Sequence, residues 1–195
     1  SCFCMQSESD AKRIRELGAA EGKVFVVGDM KFDDVLDGKT GQIPQAMASR
    51  KGKTLVAGST HPGEEQIILD VVLRIKPQFS DLSLILAPRH PDRAGEIIDL
   101  CTEKGFKAIK FSQIQETIDP GTVIVVDTIG HLRALYSLAD VVFLGKSLTA
   151  KGGHNIIEPA CYGKPIIVGP FMQNFRDITK LFLEGDALIQ VAHKA

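Results

Sequence analysis

Eight short apolar runs, rich in β-branched residues and each flanked by glycine, proline or a charge, restrict the fold of this chain more than any other feature. They stand at residues 23–28 (KVFVVG), 53–58 (KTLVAG), 82–88 (LSLILAP), 106–109 (FKAI), 122–127 (TVIVVD), 140–145 (DVVFLG), 164–169 (KPIIVG) and 187–191 (ALIQV). Runs of this length and composition read as strands. Because most of them are nearly continuous in apolar residues, both faces have to be covered. Stretches with helical spacing lie between many of them, at residues 8–18, 63–77, 91–105, 130–140 and 155–163. In the second of these, Ile67, Ile68, Val71, Val72 and Ile75 gather on one side, and Glu64 and Glu65 favour the positive end of the helix. Strands alternating with helices predict an α/β fold, a Rossmann-like parallel sheet with helices on both faces. Residues 32–52, with glycines and charges but little periodicity, are expected to form a linker or mobile loop. Residues 1–22 are expected to close an interdomain segment and carry a leading helix, and residues 23–195 to form the Rossmann-like domain.

At 195 residues the chain is long enough for one filled core. Its 23 Lys+Arg against 24 Asp+Glu give no basic field for a polynucleotide backbone, so a nucleic-acid partner is not expected. Cys2, Cys4, Cys101 and Cys161 lack the spacing of a disulfide framework or a zinc knuckle, which fits a reducing compartment. Cys161 is expected to pack into the core. No apolar run approaches the roughly 18–20 residues of a membrane helix, and the first residues lack a signal peptide's pattern. Both ends are expected to be cuts within a longer chain.

In an open parallel sheet, ligands gather beyond the carboxyl ends of the strands. Here four strand ends run into polar loops that open into helices. GSTHPGEE follows the second run, with Gly58 for close approach and hydroxyls from Ser59 and Thr60. PRHPDR follows the third, where Arg89 offers a planar fork and His90 a second polar group. TIGHL follows the fifth and KSLTAKGGHNIIE the sixth. In the last loop Gly152 and Gly153 permit close approach of an anion, and Asn155 can cap the next helix. Glu158, three residues on, could accept hydrogen bonds from a ribose diol. Together these point to a nucleotide site. Plainer readings exist for each: Asn155 and Glu158 also match a capping pair, and Arg89 could pair with Asp92. His61, His90 and His154 with Glu64 and Glu158 invite a metal, but their spacing lacks the i, i+4 pair of a helical zinc site, so no metal is expected.

The segments GDMKFD, LVAGSTHPGEEQIILD, LILAPRHPDR, VVDTIGHLRALYSLADVVFLGKSL and GGHNIIEPACYGKPIIVGPFMQNF, in this order, resemble the carboxy-terminal half of the 3-deoxy-D-manno-octulosonic acid (Kdo) transferases. The resemblance implies the donor-binding half of a two-domain GT-B glycosyltransferase that moves Kdo from CMP-Kdo to a lipid A precursor in lipopolysaccharide synthesis. It implies work at the cytoplasmic face of the bacterial inner membrane, with membrane attachment and acceptor binding through an amino-terminal part outside this sequence. On the same resemblance Pro88 and Arg89, the loop Ile129, Gly130 and His131, and Asn155, Ile156, Ile157 and Glu158 fall where the family holds CMP. Lys31 falls where a lysine helps stabilise the transition state. The donor would need no cofactor and no obligatory metal, and the general base would be a carboxylate of the other half, so this soluble piece is expected to bind donor without transferring sugar. Two departures stand out: His131 occupies a position that is acidic in many members, and Lys146 replaces a common glycine. Two other readings stay open, a GT-B domain for a UDP-sugar and a noncatalytic nucleotide-binding module.

Overall fold

The computed structural model describes residues 1–28, 41–50 and 52–191. They fall into two compact units, Ser1–Lys39 and Thr40–Ala195.

The first unit holds strand β1 (Phe3–Met5), helix α1 (Glu8–Glu16) and strand β2 (Val24–Val26). Ser7 starts α1 by accepting a hydrogen bond from the Asp10 N–H at 3.2 Å, which satisfies one orphan donor of the first turn. β1 and β2 pair in parallel as a two-stranded sheet of their own. The run at 23–28 therefore differs from the covered strand expected of it. Val24 is buried, but Phe25 and Val26 are 52% and 40% exposed.

In the second unit a short helix α2 (Gln45–Ala48) precedes β3 (Thr54–Thr60), α3 (Glu64–Ile75), β4 (Ser83–Pro88), α4 (Ala94–Glu103) and β5 (Ala108–Lys110). β6 (Val123–Val125), α5 (Leu132–Tyr136), β7 (Val141–Leu144), α6 (Ile157–Ala160), β8 (Ile166–Val168), α7 (Arg176–Glu184) and β9 (Leu188–Gln190) follow. The seven strands from β3 to β9 form one parallel sheet in the order β5-β6-β4-β3-β7-β8-β9. On one side the chain runs from β3 to β4 and out to the edge at β5, and β6 then inserts between β5 and β4; on the other it winds outward through β7, β8 and β9. The order thus reverses between β3 and β7, the switch point where a crevice opens at the strands' carboxyl ends.

Period-2 alternation divides the core between the two faces. Ala57, Leu84, Leu86, Val123, Val125 and Phe143 pack with Ile68, Leu69 and Val72 of α3 and Ile97 and Cys101 of α4. Val56, Ile85, Ile124, Val142 and Leu144 alternate with them and are equally buried, so the opposite face is covered too. Tyr136 of α5 lies there; a Cβ on Gly58 would fall 2.2 Å from its hydroxyl. Burial, and then the negative charge of Glu158, raise the Tyr136 phenol well above its ordinary range.

Three local expectations change. The region read as a linker contains α2, whose Met47 is buried. The inward stripe of α3 runs through Glu64, Glu65, Ile68, Leu69 and Val72, while Val71 is 44% exposed. The stripe is rotated because two glutamates with fixed partners occupy the first turn. Cys161 is exposed, since α6 ends one residue before it, whereas Cys101 is buried and its thiol is pushed up to about 11.

Candidate functional site

The loops after β3 and β7 meet at the switch point, and a buried carboxylate joins them. Glu64, fully buried at the start of α3, accepts hydrogen bonds from four backbone N–H groups. His61 and Lys146 donate to Oε2 at 2.9 and 2.8 Å, and Ser147 and Leu148 to Oε1 at 3.0 and 2.9 Å. One side chain thus closes the turn into its own helix and fixes the first three residues of the loop after Gly145. A Cβ on Gly145 would lie 2.3 Å from the Ser59 carbonyl oxygen and 2.7 Å from Glu64 Oε2, so glycine alone lets the loops approach this closely. Next to it Glu65 accepts from the Thr60 hydroxyl at 2.7 Å and from Arg93 Nη1 at 2.8 Å.

Backbone conformation marks the same place. Ser59, at the irregularity between Gly58 and Thr60 near the end of β3, and Lys146, two residues beyond β7, have φ of 53° and 55°. L residues adopt this region at a cost of order 1–2 kcal/mol, repaid at Lys146 by its N–H bond to Glu64 and its carbonyl's bond from the Gly153 N–H. Glycine takes this conformation freely, so a glycine at position 146 would carry no such cost.

The Gly-Gly pair is a packing device. A Cβ on Gly153 would fall 2.4 Å from Met172 Sδ, and one on Gly152 2.9 Å from Asn174 Nδ2. Both N–H groups are used internally: Gly152 donates to Gln173 Oε1 at 3.0 Å and Gly153 to the Lys146 carbonyl at 2.9 Å. Among the described residues, the N–H groups of His154, Asn155 and Ile156 have no partner, and these are what the loop can offer an anion. Asn155 Oδ1 accepts from the Ile157 N–H at 3.0 Å, so it does cap the turn. Ile156 and Ile157 are buried, 0% and 3% exposed, and the Ile157 N–H is the one that Asn155 accepts from. Glu158 is partly buried. Burial raises its carboxyl, against the pull of Arg133 and a hydrogen bond from Asn155.

The remaining positions lie along the same edge. Pro88 is buried at the end of β4, paired across the sheet with Thr60. Arg89 is exposed, its N–H donating to the Thr60 carbonyl at 3.0 Å. No carboxylate among the described residues pairs with its guanidinium; the nearby ion pairs go to Arg93, with Glu65 and Glu96. Beyond β6, Ile129 is 87% exposed and Gly130 has φ of 91°. The His131 ring packs 4.8 Å from Phe111, and its Nδ1 lies 3.1 Å from the Gln42 carbonyl oxygen. Asp127 anchors that loop through the Ser112 N–H at 2.9 Å and hydroxyl at 2.6 Å, which hold its carboxyl low against the effect of burial. Lys31 lies outside the described residues.

Glu64, His61 and His154, singled out in sequence on other grounds, acquire their partners only in the fold. Glu64 looks like a helix-start charge in sequence, but is the pin between two loops. His61 and His154 are separated by 93 positions' worth of chain, yet their ring centroids lie 5.3 Å apart, and His90 stands 6.3 Å from His61. Burial, together with His61, Lys146 and Arg89, holds the His154 imidazole down at about 4. Among the described residues, no group of three or more His, Cys, Asp or Glu is arranged to hold a metal ion.

Known proteins resemble this chain closely. The family described as 3-deoxy-D-manno-octulosonic-acid transferase (kdotransferase) matches residues 1–34. A bifunctional glycosyltransferase/methyltransferase of Fusobacterium nucleatum is 40% identical over 97% of this chain and 30% of its own length. A 3-deoxy-D-manno-octulosonic acid transferase of Aquifex aeolicus is 36% identical over 93% of this chain and 47% of its own. The chain thus spans less than half the length of these relatives. Among solved structures, the C-terminal CMP-Kdo binding domain of WaaA from Acinetobacter baumannii superposes with a TM-score of 0.71 at 30% identity. That match covers 85% of this chain and 84% of the other.

Proposed function

This chain belongs to the Kdo transferase family as its donor-binding domain, the nucleotide half of a GT-B glycosyltransferase, and on that premise we propose that it binds CMP-Kdo at the β3–β7 switch point. The observation that carries the reading is the convergence at that point of Ser59, Arg89, His154, Asn155 and Glu158 from the ends of β3, β4 and β7. The phosphate would meet the N–H groups of His154 to Ile156, with Arg89 opposite. Glu158 would accept from the ribose, while Pro88 and the loop Ile129, Gly130 and His131 would bound the base. Departure of CMP places negative charge on the phosphate, where fixed N–H dipoles and a cation stabilise it most.

In the complete protein Lys31 would add a cation on the reacting side, and the carboxylate base would come from an acceptor-binding half. The first unit, with its helix Glu8–Glu16, would be the near end of that half. The whole enzyme would transfer Kdo to a lipid A precursor at the cytoplasmic face of the inner membrane. Membrane attachment would lie in the amino-terminal part of the protein; no helix among the described residues is long and apolar enough to cross a membrane. Calorimetric titration of this chain with CMP, UMP and UDP, with and without magnesium, tests the reading. A metal-independent preference for CMP is expected, and a preference for a uridine nucleotide would overturn it.

A further inference from the structure

The turn that carries Arg89 is closed into a ring by one residue of the neighbouring strand. Thr60, fully buried at the end of β3, accepts the Arg89 N–H at its carbonyl oxygen, 3.0 Å away. Its hydroxyl donates to Oε1 of Glu65, on α3, at 2.7 Å. Glu65 is buried, and Arg93, at the far end of the same turn, donates to both of its oxygens, from Nη1 at 2.8 Å and from Nη2 at 3.4 Å. Within the turn the Arg93 N–H donates to the His90 carbonyl at 3.1 Å. Residues 89–93 are therefore held at both ends by Thr60, directly at Arg89 and through Glu65 at Arg93. A buried carboxylate needs such a partner, and the planar guanidinium supplies two bonds where an ammonium gives one.

The ring also decides which arginine stays free. Arg93 answers Glu65 and, through Nη2 at 3.2 Å, Glu96, while the oxygens of Glu64 are closed by four backbone N–H groups. Arg89, four residues before Arg93, has no carboxylate partner among the described residues. A long side chain on an unanchored turn has to be ordered as the ligand arrives, and that ordering weakens binding. We propose that Arg93, acting through Glu65 and Thr60, is the positioning residue for Arg89: it fixes the backbone from which Arg89 meets the phosphate, and it occupies Glu65 and Glu96 so that the Arg89 guanidinium is kept for the ligand. The inference rests on the CMP reading above. Arg93 acts on the phosphate only through Arg89.

NMR titration of this chain with CMP and with cytidine, which lacks the phosphate, reads the phosphate's share as the ratio of the two affinities. Arg89→Met is expected to lower that ratio about tenfold, the worth of one charge-assisted hydrogen bond, and Arg93→Met to lower it by a similar factor. Cytidine affinity should stay within about twofold of the parent in both. Added to Arg89→Met, Arg93→Met is expected to lower the ratio no further, because a residue that works through another then has nothing left to act on. Arg93→Lys keeps the charge and one bond to Glu65, and should return the ratio to within about threefold of the parent. Arg93→Met leaves a buried carboxylate alone, so Glu65→Leu/Arg93→Leu, which removes both charges together, covers the case in which the single variant does not fold; the same loss of about tenfold is expected. A parental ratio in the folded variants overturns the proposal, as does an equal loss for cytidine, or a further tenfold loss on top of Arg89→Met. A parent that does not bind CMP, or a ratio that Arg89→Met leaves unchanged, overturns the donor-site reading itself, and this inference with it.

Discussion

Replacing Glu64 with glutamine removes one oxygen and one charge while keeping the shape of the side chain. The native carboxylate accepts from His61, Lys146, Ser147 and Leu148 N–H groups at 2.8–3.0 Å, two on each oxygen. The amide oxygen of Glu64→Gln can keep two of them. Its NH2 group then faces the other two N–H groups donor to donor, and each buried donor left unpaired costs about 1–3 kcal/mol. The two retained bonds also lose charge assistance. The expected loss is about 3–5 kcal/mol, and for a chain of this size about 2–4 °C of Tm accompanies each kcal/mol. Thermal unfolding followed by circular dichroism should place the variant roughly 10 °C below the parent. Glu96→Gln, at a side chain 68% exposed, serves as the control and should stay within about 0.5 kcal/mol. Hydrogen exchange should speed selectively at Lys146, Ser147 and Leu148. A Glu64→Gln Tm within the control's range would refute the idea that this carboxylate pins the two loops.

Other outcomes follow from the same geometry. Because the His154 imidazole is held at about 4 in the folded chain and titrates near 6.5 when unfolded, the unfolded state binds its proton first between these values. Stability should therefore fall as pH drops from about 6.5 towards 4, by about 1–2 kcal/mol once solvent screening is allowed for, and His154→Gln should flatten that slope in pH-dependent urea unfolding. Lys146→Gly should relieve the left-handed backbone strain and change stability by no more than about 1 kcal/mol in either direction, since glycine's chain entropy offsets the relief. Glu158→Gln should weaken CMP binding about tenfold by calorimetry if it holds the ribose; unchanged affinity in a folded variant would remove it from the site. In the complete enzyme Lys31→Ala should lower kcat more than it weakens donor binding.

Much of the fold could be read from the chain because its strands are buried on both faces, and continuous apolar runs at residues 82–88 and 122–127 leave little else for them to be. The strand ends were equally legible, since glycine and polar residues follow each one. What escaped reading depends on contacts between distant segments. KVFVVG looks like the other runs, but its partner is β1, and nothing within six residues encodes the two exposed side chains. Gly152 and Gly153 read as an open cradle, whereas their tight contacts come from Met172 and Asn174, twenty residues on. Ile156 and Ile157 carry a binding expectation from their place in a motif, and a local pattern does not show that both are buried. Glu64 was assigned a helix-end role because a local pattern cannot show that its partners lie more than eighty residues away.

The most direct test is a crystal structure of this chain with CMP bound. The account predicts the phosphate at the N–H groups of His154 to Ile156 beside Arg89, with the ribose towards Glu158. A nucleotide seated away from the carboxyl ends of β3, β4 and β7 would contradict it.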